Sequence, residues 1–394
     1  MRSAVTVLAG LASASLLVWL WLLFLRGGFW RADQRLADGE GGGQGPWPSV
    51  AAVVPARDEA ETIGATVSSL LSQDYPGPLT VIVIDDNSVD GTAKQAARAA
   101  NGDPRFHLLS GRPLPAGWTG KLWAVAQGVD LAPSAAPDAE FLLLTDADIV
   151  HDGGNLRRLV DKAADDKLDL VSLMVRLRCE SFWERLLVPA FVFFFQKLFP
   201  FTWVNSAQKP TAAAAGGCML VRRAALDAAG GIASIRDRLI DDCALAALLK
   251  RRGRIWLGLV TNTISLRRYD ELSGIARMVA RTAFEQLGNS PMLLVGTLAG
   301  MVVLYAVPPV AVFLGLIAGD LEMAALGGLA WAAMTFAYWP TVRLYGLSPP
   351  WAAVLPLAAV LYTAFTVESA RRTWRGEGGA WKGRSYRGSV PGKG

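Results

Sequence analysis

Apolar positions in this chain form long unbroken runs near both ends and short runs, separated by helix-patterned segments, between them. From Val5 to Leu25 the chain carries no charge ("VTVLAGLASASLLVWLWLLFL"). As a helix this stretch reaches across roughly 30 Å, the hydrocarbon thickness of a bilayer. It ends in Arg26 rather than a small-residue cleavage site, so residues 1–27 read as an uncleaved transmembrane anchor, with a signal peptide as the competing reading. Arg26, Arg31 and Arg35 follow the run and Arg2 alone precedes it, which predicts that the next domain faces the cytoplasm. Residues 28–48 form a glycine-rich linker.

The middle of the chain alternates. "SVAAVVP" reads as a buried strand and "DEAETIGATVSSLLSQ" as a helix, with Asp58 and Glu61 spaced like a capping box. "LTVIVID", "RFHLLS" and "EFLLL" are further strands, with "DGTAKQAARAA" and "GKLWAVAQGVDLA" as helices between them. "DLVSLMVRL" and "GGCMLVRR" continue the strands, and "LIDDCALAALLKRRG" is a helix ending at Gly253. This alternation predicts an α/β domain over residues 49–285, a parallel sheet covered by helices on both faces. Residues 185–204 ("RLLVPAFVFFFQKLFPFTWV") interrupt it. They suit either an interfacial segment lying on a membrane or a buried core helix.

Residues 286–369 turn apolar again, with three candidate spans: "MLLVGTLAGMVVLYAVPPVAVFLGLIA", "LEMAALGGLAWAAMTFAYWPTV" and "WAAVLPLAAVLYTAFTV". The acidic "GDLEM" favours the outside and Arg343 the inside. A third full crossing would leave the basic tail, residues 370–394, outside, against the same charge rule. Either one segment does not cross fully or the runs divide differently.

Composition agrees with a membrane protein: 52% of residues are hydrophobic, above the share in soluble domains. A net charge of +5 is too small to imply nucleic acid. Cys179, Cys218 and Cys243 are widely spaced and odd in number, which argues against a disulfide framework or zinc site. His107 and His151 are the only histidines, too few for a histidine-based metal site; His151, three residues past Asp148, is either an extra ligand or a loop histidine with no such duty.

The chemistry gathers at strand ends. In "FLLLTDADIV" a buried strand runs into Asp146 and Asp148, which in an extended chain point to the same side. Two carboxylates so close resist joint ionisation unless a positive charge lies between them, and a hard divalent cation with oxygen ligands is the natural candidate. The alternative is that both acids merely cap the following loop. "PAR" and "DDNS" fall at the same edge, where open α/β sheets bind ligands. No G-x-G-x-x-G follows the first strand, so dinucleotide binding through that fingerprint is unsupported. Asp85, Asp86 and Asp90 suit hydrogen bonds from a base or ribose rather than a bare phosphate.

"VVPARDEAETI", "VIVIDDNSVDGT", "TDAD" and "IDDCALAALL", in this order, resemble four blocks of the family 2 glycosyltransferases, whose domain has the Rossmann-like GT-A nucleotide-sugar-binding fold. With the anchor, the C-terminal spans, "GWTGKLWAVAQG" and "RMVARTAFEQL", the chain most resembles the hopanoid-biosynthesis-associated branch, with ceramide glucosyltransferases as relatives. The resemblance implies that Pro55, Arg57, Glu59, Asp85 and Asp86 hold the nucleoside. It implies that Asp148 is the main ligand of Mg²⁺ or Mn²⁺, and that Asp146 lies near the metal and the ribose or sugar. Lys121 would add positive charge to the diphosphate. Asp242, with Asp241 in place of the usual glutamate, would be the general base. Of the family's Q-x-x-R-W only Arg281 survives, between Met278 and Thr282, which argues against a processive polysaccharide synthase. Trp381 and Arg384, with Lys382 and Tyr386, would fold back over the nucleotide or bind anionic lipid. The implied protein is a multi-pass enzyme of the bacterial inner membrane, its catalytic domain cytoplasmic, moving a sugar from a UDP-sugar to a lipid hydroxyl. A polysaccharide or polyprenyl-phosphate transferase and a non-catalytic scaffold are the alternatives.

Overall fold

After helix α1 (Arg2–Leu25) the chain forms β1 (Ser49–Ala56), α2 (Ile63–Leu71), β2 (Leu79–Asp85), α3 (Thr92–Ala100), β3 (Phe106–Ser110), α4 (Gly120–Ala135) and β4 (Ala139–Thr145). There follow β5 (Ile149–Val150), α5 (Asn155–Asp165), β6 (Leu170–Arg176), α6 (Phe182–Leu198), α7 (Phe201–Val204), β7 (Cys218–Arg222), α8 (Arg223–Ala228), α9 (Asp241–Lys250) and β8 (Ile255–Ser265). The structure is a computed structural model and describes residues 2–36, 47–377, 380–381 and 384–385.

The eight strands form one sheet in the order β3-β2-β1-β4-β7-β6-β8-β5. Their side chains alternate between two cores, as period-two burial requires. Val50, Ala52 and Val54 of β1 face Ile63, Val67 and Leu70 of α2 and Leu156 and Leu159 of α5. Ala51 and Val53 face Leu122 and Val125 of α4 and Leu245 and Leu249 of α9. Gly128 lets α4 lie directly on the sheet: a Cβ there would stand 2.4 Å from Val53 Cγ1 and 2.5 Å from Ile84 Cδ1.

Two expectations are corrected here. The sheet is mixed, not parallel. The half formed by β3, β2, β1 and β4 is parallel, but β7 runs antiparallel to both β4 and β6, and β5 antiparallel to β8. The long excursion through α6 and α7 returns the chain to the edge where β4 and β6 end, so β7 runs back between them. The capping box at Asp58 and Glu61 does not form either. Helix α2 starts at Ile63, and the Asp58 carboxylate instead accepts the Val89 N–H at 3.0 Å.

The C-terminal region comprises α10 (Leu272–Ala280), α11 (Pro291–Met301), α12 (Val307–Ala318), α13 (Leu321–Leu344), α14 (Pro350–Ala353) and α15 (Leu355–Trp374), then the two-stranded ladder β9 (Ala380–Trp381) and β10 (Arg384–Ser385). Among the described residues three helical stretches are long and apolar enough to cross a membrane: Val5–Leu25, Pro291–Ala318 and Leu321–Leu344. The third C-terminal span expected from sequence is not among them. Helix α15 carries Glu368, Arg371 and Arg372 in its last turns and packs against α10, α11 and α6.

Between α11 and α12, residues Val302–Ala306 form a π-helical turn. Pro308 and Pro309 lack N–H groups, so the Leu304 carbonyl has neither an α-type nor a π-type donor. Trp19 Nε1–H supplies one at 3.0 Å, tying α1 to the second span.

Residues 185–204 form most of α6 and all of α7, and one face of α6 is buried. Leu187, Val188, Ala190 and Phe193 of α6 are buried, shared between the α/β core and the C-terminal helices. Tyr362 of α15 donates to the Leu187 carbonyl at 2.9 Å. The start of α6 is a capping box between Ser181 and Glu184. Glu184 is fully buried. Its carboxylate accepts the N–H groups of Glu180 and Ser181, each at 2.9 Å, and of Tyr269 at 2.8 Å, and pairs with Arg178 at 3.1 Å. One side chain thus fixes α6 and the loop after β8 together. Glu184→Ala removes the anion and strands those donors, and is expected to cost roughly 3–5 kcal/mol in denaturant unfolding of the detergent-solubilised protein. Glu184→Gln, which keeps one acceptor oxygen, is expected to cost less.

Candidate active site

The parallel strands β1, β2 and β4 end at one edge and deliver the sequence-predicted residues there. Pro55 pairs with Ile84 in the β1–β2 ladder, so Arg57 and Glu59 emerge beside Asp85 and Asp86. The two loops are laced by backbone bonds: Asp58 N–H to Ser88 Oγ at 2.9 Å, Glu59 N–H to Thr92 Oγ1 at 2.8 Å, and Ala60 N–H to Asp90 at 2.9 Å. Asp90 also accepts from the Thr92 N–H and hydroxyl, so it helps hold the two loops together. Asp86 is fully buried and lies 3.8 Å from Arg57. Asp85, half-buried at the strand end, accepts the Ser88 N–H at 3.3 Å.

Asp146 follows β4. Because Thr145 pairs with Cys218 across the antiparallel β4–β7 ladder, Gly216 arrives next to it. Thr119 caps α4 and sets Lys121 in the first turn, where its Nζ bridges Asp146 Oδ1 at 2.9 Å and Asp241 Oδ2 at 3.2 Å. Asp242 opens α9, accepting the Gly216 N–H at 2.9 Å and the Cys243 N–H at 2.7 Å. Pro55, Lys121, Asp146, Gly216 and Asp241 line one small cavity. Burial, then the neighbouring Asp241, push the Asp242 carboxyl up to about 6, with Lys121 acting in the opposite direction. Burial and the nearby Asp148 likewise raise Asp146 against the pull of Lys121. Burial alone would lower the Lys121 ammonium, but Asp146 and Asp241 outweigh it and hold it above its ordinary range.

Sequence reasoning missed the second cation. The β5–β8 pairing sets Ile149 opposite Ser265, and Leu266 N–H bonds the Asp148 carbonyl at 2.8 Å. Arg267 therefore reaches Asp148, Nε to Oδ2 at 3.1 Å, and Glu59, Nη2 to Oε1 at 2.5 Å. Ser265 Oγ donates to the same Asp148 oxygen at 3.0 Å. The only trace in the sequence is the basic "SLRRYDE" after a strand.

Among the described residues no three His, Cys, Asp or Glu side chains form a ready metal cluster. The donor set nevertheless fits a hard divalent cation. Five carboxylates (Glu59, Asp146, Asp148, Asp241 and Asp242) gather around two cations, Lys121 and Arg267. The excess is negative and every candidate ligand atom is oxygen.

Arg281, at the end of α10, is exposed and acts on the Tyr269 phenol, which also feels Asp148 and Asp146. The backbones of Trp381 and Arg384 pair in the β9–β10 ladder, while their side chains, and Lys382 and Tyr386 entirely, lie outside the described residues. The three cysteines are free thiols.

Residues 51–230 match the family described as Glycosyl transferase family 2. An N-acetylglucosaminyltransferase of Mesorhizobium japonicum is 40% identical over 67 residues, a stretch that spans 16% of this chain and 16% of that relative. A mannosyltransferase from Pyrobaculum calidifontis, solved with GDP-Man and Mn²⁺, shares the fold with a TM-score of 0.51 and 20% identity, over 93% of this chain and 98% of that one. A glucosyl-3-phosphoglycerate synthase from Mycobacterium tuberculosis, solved with Mg²⁺ and UDP, aligns at a TM-score of 0.40 and 20% identity, over 61% of this chain and 80% of that one.

Of the two readings of His151, the structure favours a histidine bound into the scaffold. It is buried, with Nδ1 2.9 Å from Asn155 Nδ2 and Nε2 3.0 Å from Thr145 Oγ1. Asn155 can only donate through that nitrogen, so Nδ1 accepts, Nε2 carries the proton and donates to Thr145, and Thr145 donates to the Gly217 carbonyl at 2.7 Å. Burial pushes the imidazole down to about 4 from its ordinary 6.5. Between those values the unfolded chain binds a proton that the folded one refuses. Roughly 3 kcal/mol of stability present above pH 6.5 is therefore expected to disappear progressively toward pH 4. Unfolding curves across that window should be flatter for His151→Gln by this difference.

Proposed function

We propose that this chain, which carries a glycosyl transferase family 2 domain over residues 51–230, is a membrane-bound, metal-dependent inverting glycosyltransferase. It moves a sugar from a UDP-sugar to a lipid hydroxyl, of a hopanoid or a similar lipid. The observation that carries the reading is Asp242: a half-buried carboxylate at a helix start, oriented by the Gly216 N–H, titrating near 6, beside the Asp146–Lys121–Asp241 bridge. A base poised near the working pH removes a proton efficiently without being permanently protonated.

In this mechanism Asp85 and Arg57 hold the nucleoside at the β1 and β2 ends, with Asp86 and Glu59 orienting them. A divalent ion, Mg²⁺ or Mn²⁺, held by Asp148 and Asp146, would neutralise the diphosphate as it leaves. Asp242 takes the proton of the acceptor hydroxyl as that oxygen attacks the anomeric carbon. UDP departs from the opposite face, so the configuration inverts in one step. Lys121 holds Asp146 and Asp241 in place through its two ion pairs, and Arg281 adds positive charge at the rim. The catalytic unit is assigned to residues 49–285.

Three candidate spans support a membrane location. On the reading that α15, packed beside α10 and α6, does not cross, the charge rule gives one consistent arrangement. The catalytic domain, Arg343 and the basic tail share the cytoplasmic side of the inner membrane, and the turn at Asp320 lies outside. An insoluble acceptor is then met in the bilayer plane, while the charged donor arrives from water.

Asp242→Asn is expected to lower turnover by about 10²–10⁴-fold while UDP binding stays within a few-fold. Wild-type turnover, measured with a radiolabelled UDP-sugar and lipid acceptor, is expected to fall as pH drops below about 6, because the base must be deprotonated. Unimpaired transfer by Asp242→Asn would remove the base assignment, and a long polymer as product would remove the lipid acceptor.

A further inference from the structure

We infer that Arg267 is a placeholder cation. It occupies Asp148 while the site lacks donor, and passes to the donor's diphosphate when a metal ion takes that carboxylate. The inference rests on the proposed metal and nucleotide-diphosphate site and names a residue that couples the two ligands.

Arg267 is built into the site, not draped over it. The β5–β8 ladder and the bond from Leu266 N–H to the Asp148 carbonyl fix its backbone beside Asp148. Its side chain binds Asp148 and Glu59 through Nε and Nη2. A guanidinium has five N–H donors in a planar fork, and these two bonds use two of them. The Arg267 side chain is 36% exposed whereas that of Asp148 is 8% exposed, so Arg267 is the accessible member of the pair. A bidentate phosphate partner suits that geometry.

The electrostatics impose an order. A divalent ion binding Asp148 without nucleotide must share the carboxylate with a guanidinium, and like charges raise the cost. When a diphosphate enters, Arg267 gains a new anion and its claim on Asp148 weakens. Metal and nucleotide then favour one another, by the same factor in each direction. Glu59 keeps the guanidinium tethered during the exchange.

The test uses the full chain in detergent, with Mn²⁺ alone, and with UDP at saturating Mn²⁺, both followed by calorimetry. For Arg267→Gln the inference expects Mn²⁺ alone to bind at least five-fold tighter and UDP at least ten-fold weaker than in the wild type. Arg268→Gln removes a neighbouring exposed charge paired with Asp270 and is expected to change both by less than two-fold. Weaker Mn²⁺ binding by Arg267→Gln would make Arg267 a support for Asp148 and overturn the inference, as would unchanged UDP binding. Equal effects from Arg268→Gln would reduce Arg267 to a general field effect and overturn it too. If the wild type binds neither Mn²⁺ nor UDP, the proposed function itself fails, which is a separate outcome.

Discussion

The architecture of the candidate site depends on a charge imbalance at one edge of the sheet. Five carboxylates meet there, and Lys121 and Arg267 pair directly with four of them, Asp146, Asp241, Asp148 and Glu59. Neither cation is local to the acids it serves. Lys121 comes from the first turn of α4, and Arg267 from the loop after β8. The acids can therefore be held close only if the whole sheet is assembled, because unpaired carboxylates at these distances resist joint ionisation. Folding and the poise of the site are one problem. The loops from β1 and β2 are cross-bonded, α4 is pressed onto the sheet at Gly128, and β7 returns to set Gly216 against Asp242.

Much of this was legible in the amino-acid sequence for a simple reason. Parallel strands with crossover helices put their carboxyl ends on one edge, so polar residues ending successive apolar runs must converge. Asp85, Asp146 and the β1 segment follow that rule. Strand direction did not follow from it. Composition carries no sign for the orientation of "GGCMLVRR", and the antiparallel entry of β7 came from the path through α6 and α7. The same limit applied to α6 itself. Apolar residues spread round a helix fit a lipid surface and a protein core equally well, and only the partners on both sides distinguish them.

Arg267 stayed hidden for a related reason. Two adjacent arginines after a strand read as a solvated turn, and Arg268 beside it is exposed and paired with Asp270. What separates the two is the register of a two-residue strand, β5, against the end of β8. Nothing in the composition of "IV" announces such a pairing. His151 left two readings open. Its closeness to Asp148 in sequence suits a ligand or a loop histidine alike, and the chain turns at β5 and carries the imidazole inward, where Thr145 and Asn155 satisfy both nitrogens.

The apolar half of the chain reaches the site through few side chains, and Glu184 is the clearest of them. Its carboxylate caps α6, which packs against α13 and α15, and in the same bonds holds Tyr269, two residues beyond Arg267. A shift of α6 against its helical neighbours would consequently move the loop that sets Arg267 on Asp148. Movement at this junction is restrained because Glu184 is fully buried and each bond it makes would otherwise be left unmet in the interior. Under the proposed function, with an acceptor in the bilayer plane, such a stiff link would serve a purpose that a flexible tether would not. It would keep the C-terminal helices at a constant height relative to the carboxylates.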